Sequence, residues 1–425
     1  MKRIETISKV TIAGSDIQHA ACVTAGNWVF VNGIEATDYV HGLAPEVAGN
    51  PRLPLHGAPK HRREGDYICA RLKALLAQAG TDFAHSVRLD QFYPTWKAVD
   101  PYHLARKAAF GDYIPPSTSV IMQELLTRNA DIVSSLLAVV PGGNRDPQRV
   151  APPKVTAPTW SGFVPAVKSG DFVFVAGQMS RGAENTPDPR AHVPPHSLWG
   201  GYEIRRQAEY IIEEKLKPAL AASGSSPANA VKAQAYLRHV EDTAHFVEVW
   251  NAHFGARQCA LTVVPTCDFG LVEGNLEINL LALADGAATK KQIIDCDIAQ
   301  AMTFGAPAVR AGDLLLTSGL MALDDDGPIA AIAAGAEMPY FGIGARAQMR
   351  AILEAADRIC RAAGTELANV ARSQQYHTDL ADFAPMCNAW RDRLGDVPLP
   401  YSAVRVPALC APGVSVLVDL WIYAP

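Results

Sequence analysis

The chain has 425 residues, 49% apolar and 19% charged, with 38 Lys+Arg against 43 Asp+Glu for a formal charge of −5. That composition excludes a disordered chain and supplies apolar surface for a large core, while the length suggests two or three domains. The acidic balance argues against nucleic acid as a partner, which needs clustered Lys and Arg, and no stretch approaches the ~18 apolar residues of a membrane span. The start, Met1-Lys2-Arg3-Ile4, carries no apolar leader, and the eight cysteines are scattered without disulfide or zinc spacing. A cytoplasmic protein with reduced thiols is expected.

The first predicted element is a hairpin over residues 22–33 that turns at Gly26-Asn27. A helix then ends at Ala79-Gly80, a strand carries Tyr93, an amphipathic helix spans 100–111, and a strand over 132–140 closes the series. The series recurs as a hairpin over 166–177 turning at Gly170-Asp171, a helix ending at Ser223-Gly224, a strand with Tyr236, a helix over 242–255 and a strand over 276–284. A third copy has its hairpin at 308–319 around Gly312-Asp313, a helix ending at Ala363-Gly364, a strand with Tyr376, a helix over 382–395 and a strand over 414–423. Each pre-strand glycine suits a helix C-cap, and Gly followed by Asn or Asp suits a hairpin turn. In the second copy Phe246, Val249, Trp250 and Phe254 share one helix face.

The turn glycines lie 144 and 142 positions apart, far beyond the ~20–50 residues of a solenoid repeat. The reading is therefore β-β-α-β-α-β-β, three times over. Joints rich in Pro, Gly and charge divide the chain into a first repeat (1–143), a linker (144–157), a second repeat (158–286), a linker (287–294) and a third repeat (295–425).

The second copy reads Ala166-Val167-Lys168-Ser169-Gly170-Asp171-Phe172-Val173-Phe174-Val175-Ala176-Gly177-Gln178, and later Gly255-Ala256-Arg257-Gln258-Cys259. These segments resemble the "A-V-x-x-G-D-x-V-F-V-x-G-Q" entry and the "P-A-R-S-C" substrate-binding stretch of the RidA/YjgF (L-PSP) enamine/imine deaminases. The resemblance recurs once per repeat and covers nearly the whole chain. It implies an α+β, chorismate-mutase-like fold with two helices on one face of a mixed sheet, assembled as trimers with ligand clefts between neighbours. Here that would be three tandem RidA-type domains forming an intramolecular pseudo-trimer. Three sheets, each with helices on one side, can bury their other faces against one another around an axis.

The family's chemistry asks for a cation to hold a substrate carboxylate and an acid/base to steer water onto an imine carbon. Arginine suits the first task because its fork grips a carboxylate bidentately. Only the second repeat offers it, as Arg257; Ser117 and Tyr401 stand at the corresponding places. The acid/base is expected on the closing strand, where Ser135, Asn279 and Asp419 align, with Glu277 on the same strand face as Asn279. Asp419, set between Val418 and Leu420, needs either a basic partner such as Arg405 or a wet cleft where desolvation raises its pKa to a useful range. The expected site has Arg257 as anchor, Asp419 or Glu277 as the catalytic group, and Cys259, Asn279 and Phe163 as substrate-binding residues. Phe163 stands where the family often has tyrosine, and His19 and Gly305 occupy that place in the other copies. Cys259 has no neighbouring histidine to make it a nucleophile. His192 and His196 would need a third ligand to hold a metal, and no glycine-rich nucleotide motif is present, so neither metal nor cofactor is expected. Loops 36–65 and 182–201, the second with Trp199 in it and Tyr202 beside it, are long enough to act as lids.

The leading expectation is a cofactor-independent hydrolase/deaminase acting on a small, anionic imine, enamine or related C–N substrate in an inter-domain cleft. One alternative is a ring-opening or amide-cleaving amidohydrolase, as in cyanuric acid hydrolase and barbiturase, although their repeated Ser-Lys pairs are missing. Another is a non-catalytic binding or scaffold protein with decayed clefts. Ribonuclease action, also attributed to the family, finds no basic groove. The expected partner is a small-molecule substrate, with no nucleic acid or membrane. The chain would be a monomer standing for a trimer, with further homo-oligomerisation left open.

Overall fold

The computed structural model describes residues 4–53, 56–153, 155, 161–182, 186–194, 196, 198, 201–324, 326–329 and 344–425. Trp199, named above as a lid residue, lies outside them. The first unit runs through β1 (Glu5–Thr11), β2 (Gln18–Ala25), β3 (Trp28–Glu35), a single turn α1 (Pro45–Ala48), α2 (Lys60–Gln78) and β4 (Ser86–Tyr93). It continues with α3 (Val99–Phe110), β5 (Ser117–Ile121), β6 (Glu124–Leu125) and β7 (Val133–Val139). The second unit comprises β8 (Gln148–Val150), β9 (Ala166–Ser169), β10 (Phe172–Gln178), α4 (Tyr202–Ile211) and α5 (Lys217–Ala222). Then come β11 (Ala230–Leu237), α6 (Thr243–Phe254), β12 (Ala260–Pro265), β13 (Asp268–Phe269) and β14 (Leu276–Leu283). The third holds β15 (Lys291–Ile294), β16 (Ala308–Ala311), β17 (Leu314–Thr317), β18 (Leu320–Met321), β19 (Leu323–Asp324) and β20 (Gly327–Pro328). It ends with α7 (Gly344–Ala362), β21 (Val370–His377), α8 (Phe383–Leu394), β22 (Tyr401–Arg405) and β23 (Val416–Tyr423).

Each hairpin turn has one glycine at positive φ (Gly26 +60°, Gly170 +58°, Gly312 +58°), while the Asn or Asp after it is not left-handed. This is the type II′ arrangement, whose twist matches the flanking strands. The helix-ending glycines Gly80, Gly224 and Gly364 are likewise left-handed, as a C-cap requires.

The strands form three mixed sheets of the same order: β1-β2-β3-β7-β4-β5-β13, β8-β9-β10-β14-β11-β12, and β15-β16-β17-β23-β21-β22-β6. In each, the closing strand (β7, β14, β23) lies between an antiparallel hairpin and a parallel pair (β4/β5, β11/β12, β21/β22). The joints expected as plain linkers differ in one respect: β8 and β15 fall within or across them and pair with the following hairpins, as β1 does with β2. Their half-exposed, mixed sequences hide the period-two pattern that marks a strand.

Helices cover one face of each sheet over its own apolar cluster. The opposite faces meet in two clusters shared by all three units. Trp28, Phe174 and Trp421 belong to one, and Phe92, Tyr236 and Tyr376 to the other.

Between these clusters lies a buried charged layer. Asp90 accepts hydrogen bonds from Arg88 Nε (2.9 Å) and Arg372. Lys232 pairs with Asp419 (2.7 Å), and Gln234 donates to Gln374 (2.6 Å) and Asp419 (2.8 Å). Burial pushes the Asp90 carboxyl up, but the Arg88 and Arg372 charges outweigh it and hold it below its usual value. Burial also lowers the Lys232 pKa, against the opposing pull of Asp419.

Short strands cross between the sheets at two junctions. Gln123 N–H donates to Arg405 O (2.8 Å), placing β6 beside β22, and Cys267 N–H donates to Ile121 O (2.8 Å), placing β13 beside β5. Pro407, at the third equivalent position, has no N–H to give, and β12 remains a sheet edge.

Candidate functional site

The three inter-unit junctions share one geometry. The chain entering each second parallel strand offers a carbonyl to the next unit's hairpin. Leu399 O accepts from Ala20 N–H (2.9 Å), Ile114 O from Val164 N–H (2.9 Å) and Cys259 O from Ala306 N–H (3.0 Å). The three residues aligned in sequence, His19, Phe163 and Gly305, therefore stand at equivalent places. Register fixes the rest. Val133, Glu277 and Leu417 oppose Phe92, Tyr236 and Tyr376, while Ser119, Val263 and Ala403 oppose Gln91, Ala235 and Gln375. Glu35 pairs with Val133 and Met321 with Leu417, which makes Met179 their counterpart in the second unit.

The third–first junction encloses a cavity of 240 Å³, lined among others by Gly33, Glu35, Thr37, Tyr39, Arg128, Val133, Tyr401 and Ala403. Glu35 is buried; Oε1 accepts from Leu126 N–H (3.2 Å) and Oε2 from Thr127 N–H (2.8 Å). Burial raises its carboxyl to about 7 despite these bonds. Arg128 is exposed at the rim and makes no hydrogen bond or ion pair among the described residues. His19 packs on Tyr401 at 4.2 Å and places Nε2 3.0 Å from Asn32 O; burial lowers it to about 4, so the ring is neutral.

Gly33 is left-handed (φ +51°), and a Cβ there would collide with Tyr401 O. Gly33→Ala is expected to destabilise the chain by at least about 1–2 kcal/mol, the cost of a left-handed non-glycine residue, before any clash is added. Urea unfolding followed by circular dichroism measures it.

At the first–second junction the corresponding positions are Ser119, Gly177, Met179 and Glu277. Glu277 is buried, and its carboxyl occupies the space that a Cβ on Gly177 would fill. Burial raises it to about 8, with the Arg181 charge and the Ser119 N–H pulling the other way. At the second–third junction the positions are Val263, Gly319, Met321 and Leu417, none of them polar; Leu417 lies over Gly319 as Glu277 lies over Gly177.

The structure does not bring the sequence-predicted site residues together. Arg257 is half-buried in a left-handed turn (φ +55°) near Cys296, at the outer end of β12. Among the described residues it pairs with neither Glu277 nor Asp419. Glu277 faces the other junction, and Asp419 points inward to Lys232 and Thr262 (2.6 Å). Arg405, the partner considered for Asp419, instead donates to Thr378 O (3.0 Å) and Glu124 (3.3 Å). Asn279 is buried and donates to Thr118 (3.0 Å). Cys259 is buried with its thiol raised to about 12, so it stays protonated. Phe163 packs half-buried against the first unit's core.

His192 pairs with Glu203 (2.5 Å), and His196 is exposed. Among the described residues one trio of metal-type donors, Glu209, Glu213 and His253, lies near the surface. Lys217 Nζ sits within it, 2.5 Å from Glu213 and 3.2 Å from His253, and supplies the cation.

Glu35 and Arg128 escaped the sequence reading. The signal available was a carboxylate in the column where the other copies carry Met179 and Met321. Among the described residues no helix is long and apolar enough to cross a membrane.

Comparison with known proteins places the chain beside several others and within one family. A RutC family protein of Pyrococcus abyssi is 30% identical over 99 residues, spanning 23% of this chain and 68% of the relative. Protein MMF1, mitochondrial, of Saccharomyces cerevisiae is 28% identical over 130 residues, spanning 31% of this chain and 80% of the relative. A crystal structure of a chorismatase covers 80% of this chain and 93% of its own at 13% identity, with a TM-score of 0.47. The model of the Endoribonuclease L-PSP family matches residues 154–284 and 297–423, well over half the sequence. The chain belongs to the L-PSP family, the RidA/YjgF group that its repeated segments resemble.

Proposed function

We propose that the chain is the covalent equivalent of a RidA trimer, and that its third–first cleft hydrolyses a small carboxylate-bearing imine or enamine without a cofactor. The observation that carries this reading is the 240 Å³ cavity with a buried Glu35 inside and, at its rim, Arg128 with no partner among the described residues. Arg128 anchors the substrate carboxylate. Glu35, held in orientation by two backbone N–H groups, takes a proton from water as its oxygen bonds to the iminium carbon and the C=N π pair moves to nitrogen. The same carboxyl returns that proton to nitrogen; the new hydroxyl then gives its own proton to the carboxylate as the C–N pair leaves with nitrogen, giving a carbonyl compound and ammonia, which carries the last proton away as ammonium. With its value near 7, both forms of Glu35 are populated at neutral pH. The shared clusters and the charged layer that tie all three units together support the trimer-equivalent reading.

A second reading, a small-anion binding protein, draws on the tethering of both Glu35 oxygens and on the second–third junction, where Met321 and Leu417 stand in place of Glu35 and Glu277. Decay of imino acids generated in situ by an amino-acid oxidase separates the two: catalysis predicts accelerated ammonia release, binding alone predicts none. Arg128→Ala is expected to raise KM for imino acids about 10-fold or more, the loss of one charged hydrogen bond, and to leave uncharged imines unaffected. Equal loss on both substrate classes would remove Arg128 as the anchor.

A further inference from the structure

The three sheets end on equivalent outer strands, β1, β8 and β15. An outer strand offers unpaired backbone groups to whatever can extend the sheet. Two of the three are blunted. The register of β1 against β2 slips twice between Thr6 and Lys9, and β8 has three residues directly after Pro147. Bulges, short strands and proline are the devices that keep edges from pairing. Strand β15 keeps an unbroken register against β16, and no proline falls between Lys290 and Asp297. In its middle Ile293 is 38% exposed. Its Lys291 would repel another such strand unless an acid met it. The edge of β12, in contrast, is buried along its whole length.

Which groups of β15 point outward follows from the hairpin beside it. Ala311 and Leu314 flank the two-residue turn at Gly312-Asp313 and bond to each other. Ala311 therefore turns its N–H and C=O toward β17, and Arg310 turns its own toward β15. Gln292 and Ile294, opposite Arg310 and Ala308, carry the bonds to β16. The N–H and C=O groups of Lys291 and Ile293 point away from the sheet and have no partner among the described residues. Lys291, Ile293 and the exposed Asp295 that follows the strand share one side by alternation. Neither charge has an ion pair among the described residues; the Lys291 ammonium donates to Ala228 O (2.9 Å). A second β15 laid antiparallel along this edge must bond through the same outward residues. A two-fold axis at Ile293 achieves this: the two Ile293 side chains face each other, and Lys291 of each copy lies opposite Asp295 of the other. Of the registers that keep the outward groups facing, this one joins the apolar pair with both ion pairs.

We propose that β15 is a homodimerisation edge, at which two copies of the chain join their third-unit sheets into one continuous sheet across a two-fold axis at Ile293. The occupant is a second copy because the edge is its own complement in charge, so every contact is made twice, as an isologous interface requires. With β1 and β8 blunted, the assembly closes at two chains. The strand is short, which puts the contact in the small, concentration-dependent class of interface. Strand β15 lines no part of the third–first cavity, and dimerisation is independent of the reaction proposed there.

Sedimentation velocity of the full chain over a concentration series tests this. The expected result is a monomer–dimer equilibrium that weakens with added salt, because exposed ion pairs are screened. Lys291→Asp acts at two places in the dimer and is expected to raise Kd about 10-fold, through lost attraction and new repulsion. Asp295→Lys does the same, and the two changes together bring Kd back toward the wild-type value, which excludes a folding defect. Ile293→Pro removes an outward N–H and no bond to β16, so it abolishes the dimer while thermal unfolding of the monomer stays close to that of the wild type. A chain that stays monomeric throughout the series overturns the proposal. So does a dimer indifferent to Ile293→Pro and to charge reversal, which would place the contact on another face.

Discussion

Asp90→Ala is expected to destabilise the folded chain by about 3–5 kcal/mol, the range for breaking one partner out of a buried ion network. The carboxylate is 1% exposed and is the shared acceptor for Arg88, from its own unit, and Arg372, from the third. Removing it leaves two guanidinium groups buried against each other and against Lys232, whose own carboxylate, Asp419, is already engaged. Arg88 and Arg372 also lie over the Trp421 ring at 5.6 and 5.4 Å, an attraction too small to offset the lost anion. Chemical denaturation gives the value.

A double variant distinguishes charge from packing. If uncompensated charge dominates, Asp90→Ala with Arg372→Leu is less destabilised than the sum of the single changes. Strict additivity would mean the layer acts only by filling space. The pH sign is definite. The folded Asp90 pKa lies below its unfolded value of 3.8, so its contribution is present above that value and lost as pH falls through the folded one.

This layer shows what a repeat reveals and conceals. The fold was legible because three copies of a turn glycine and a helix-capping glycine fall in step, and because local backbone rules govern each; the strand tyrosine is one residue out in the first copy, where Phe92 and not Tyr93 is the counterpart of Tyr236 and Tyr376. Edge strands β1, β8 and β15 were not legible, since strands with one neighbour and two half-wet faces need no apolar alternation. Asp419 was readable as a carboxylate in need of a partner. That the partner is Lys232 depends on how the second unit's sheet faces the third's, although Arg88, Lys232 and Arg372 already form a column of cations across the copies. Arg257 misled for the complementary reason. Its motif marks a position along the chain, whereas cleft chemistry depends on which strand faces point inward. Glu35 lies in a strand that resembles its siblings, and its burial comes from β22 of another unit.

Glu35→Gln is expected to lower kcat by about 10²–10⁴-fold, the usual weight of a positioned acid/base. The amide keeps the side chain's volume inside the cavity, and its carbonyl can still accept from Thr127 N–H, so the loop that carries Arg128 stays in place. What disappears is the group that can take and return a proton. A structural tether would give the opposite pattern: KM and stability would change, with kcat nearly intact. The pH profile provides an independent readout. Water attack on an iminium needs ionised Glu35, so wild-type kcat/KM should rise through a pKa of about 7, and this limb should vanish in the variant. Stability has a definite sign as well. The folded value lies above the unfolded value of 4.5, so the wild type loses stability as pH climbs from 4.5 through about 7. At 1.36 kcal/mol per unit the loss is about 3 kcal/mol. Glu35→Gln should flatten that slope, and a variant that kept it would place the titrating group elsewhere.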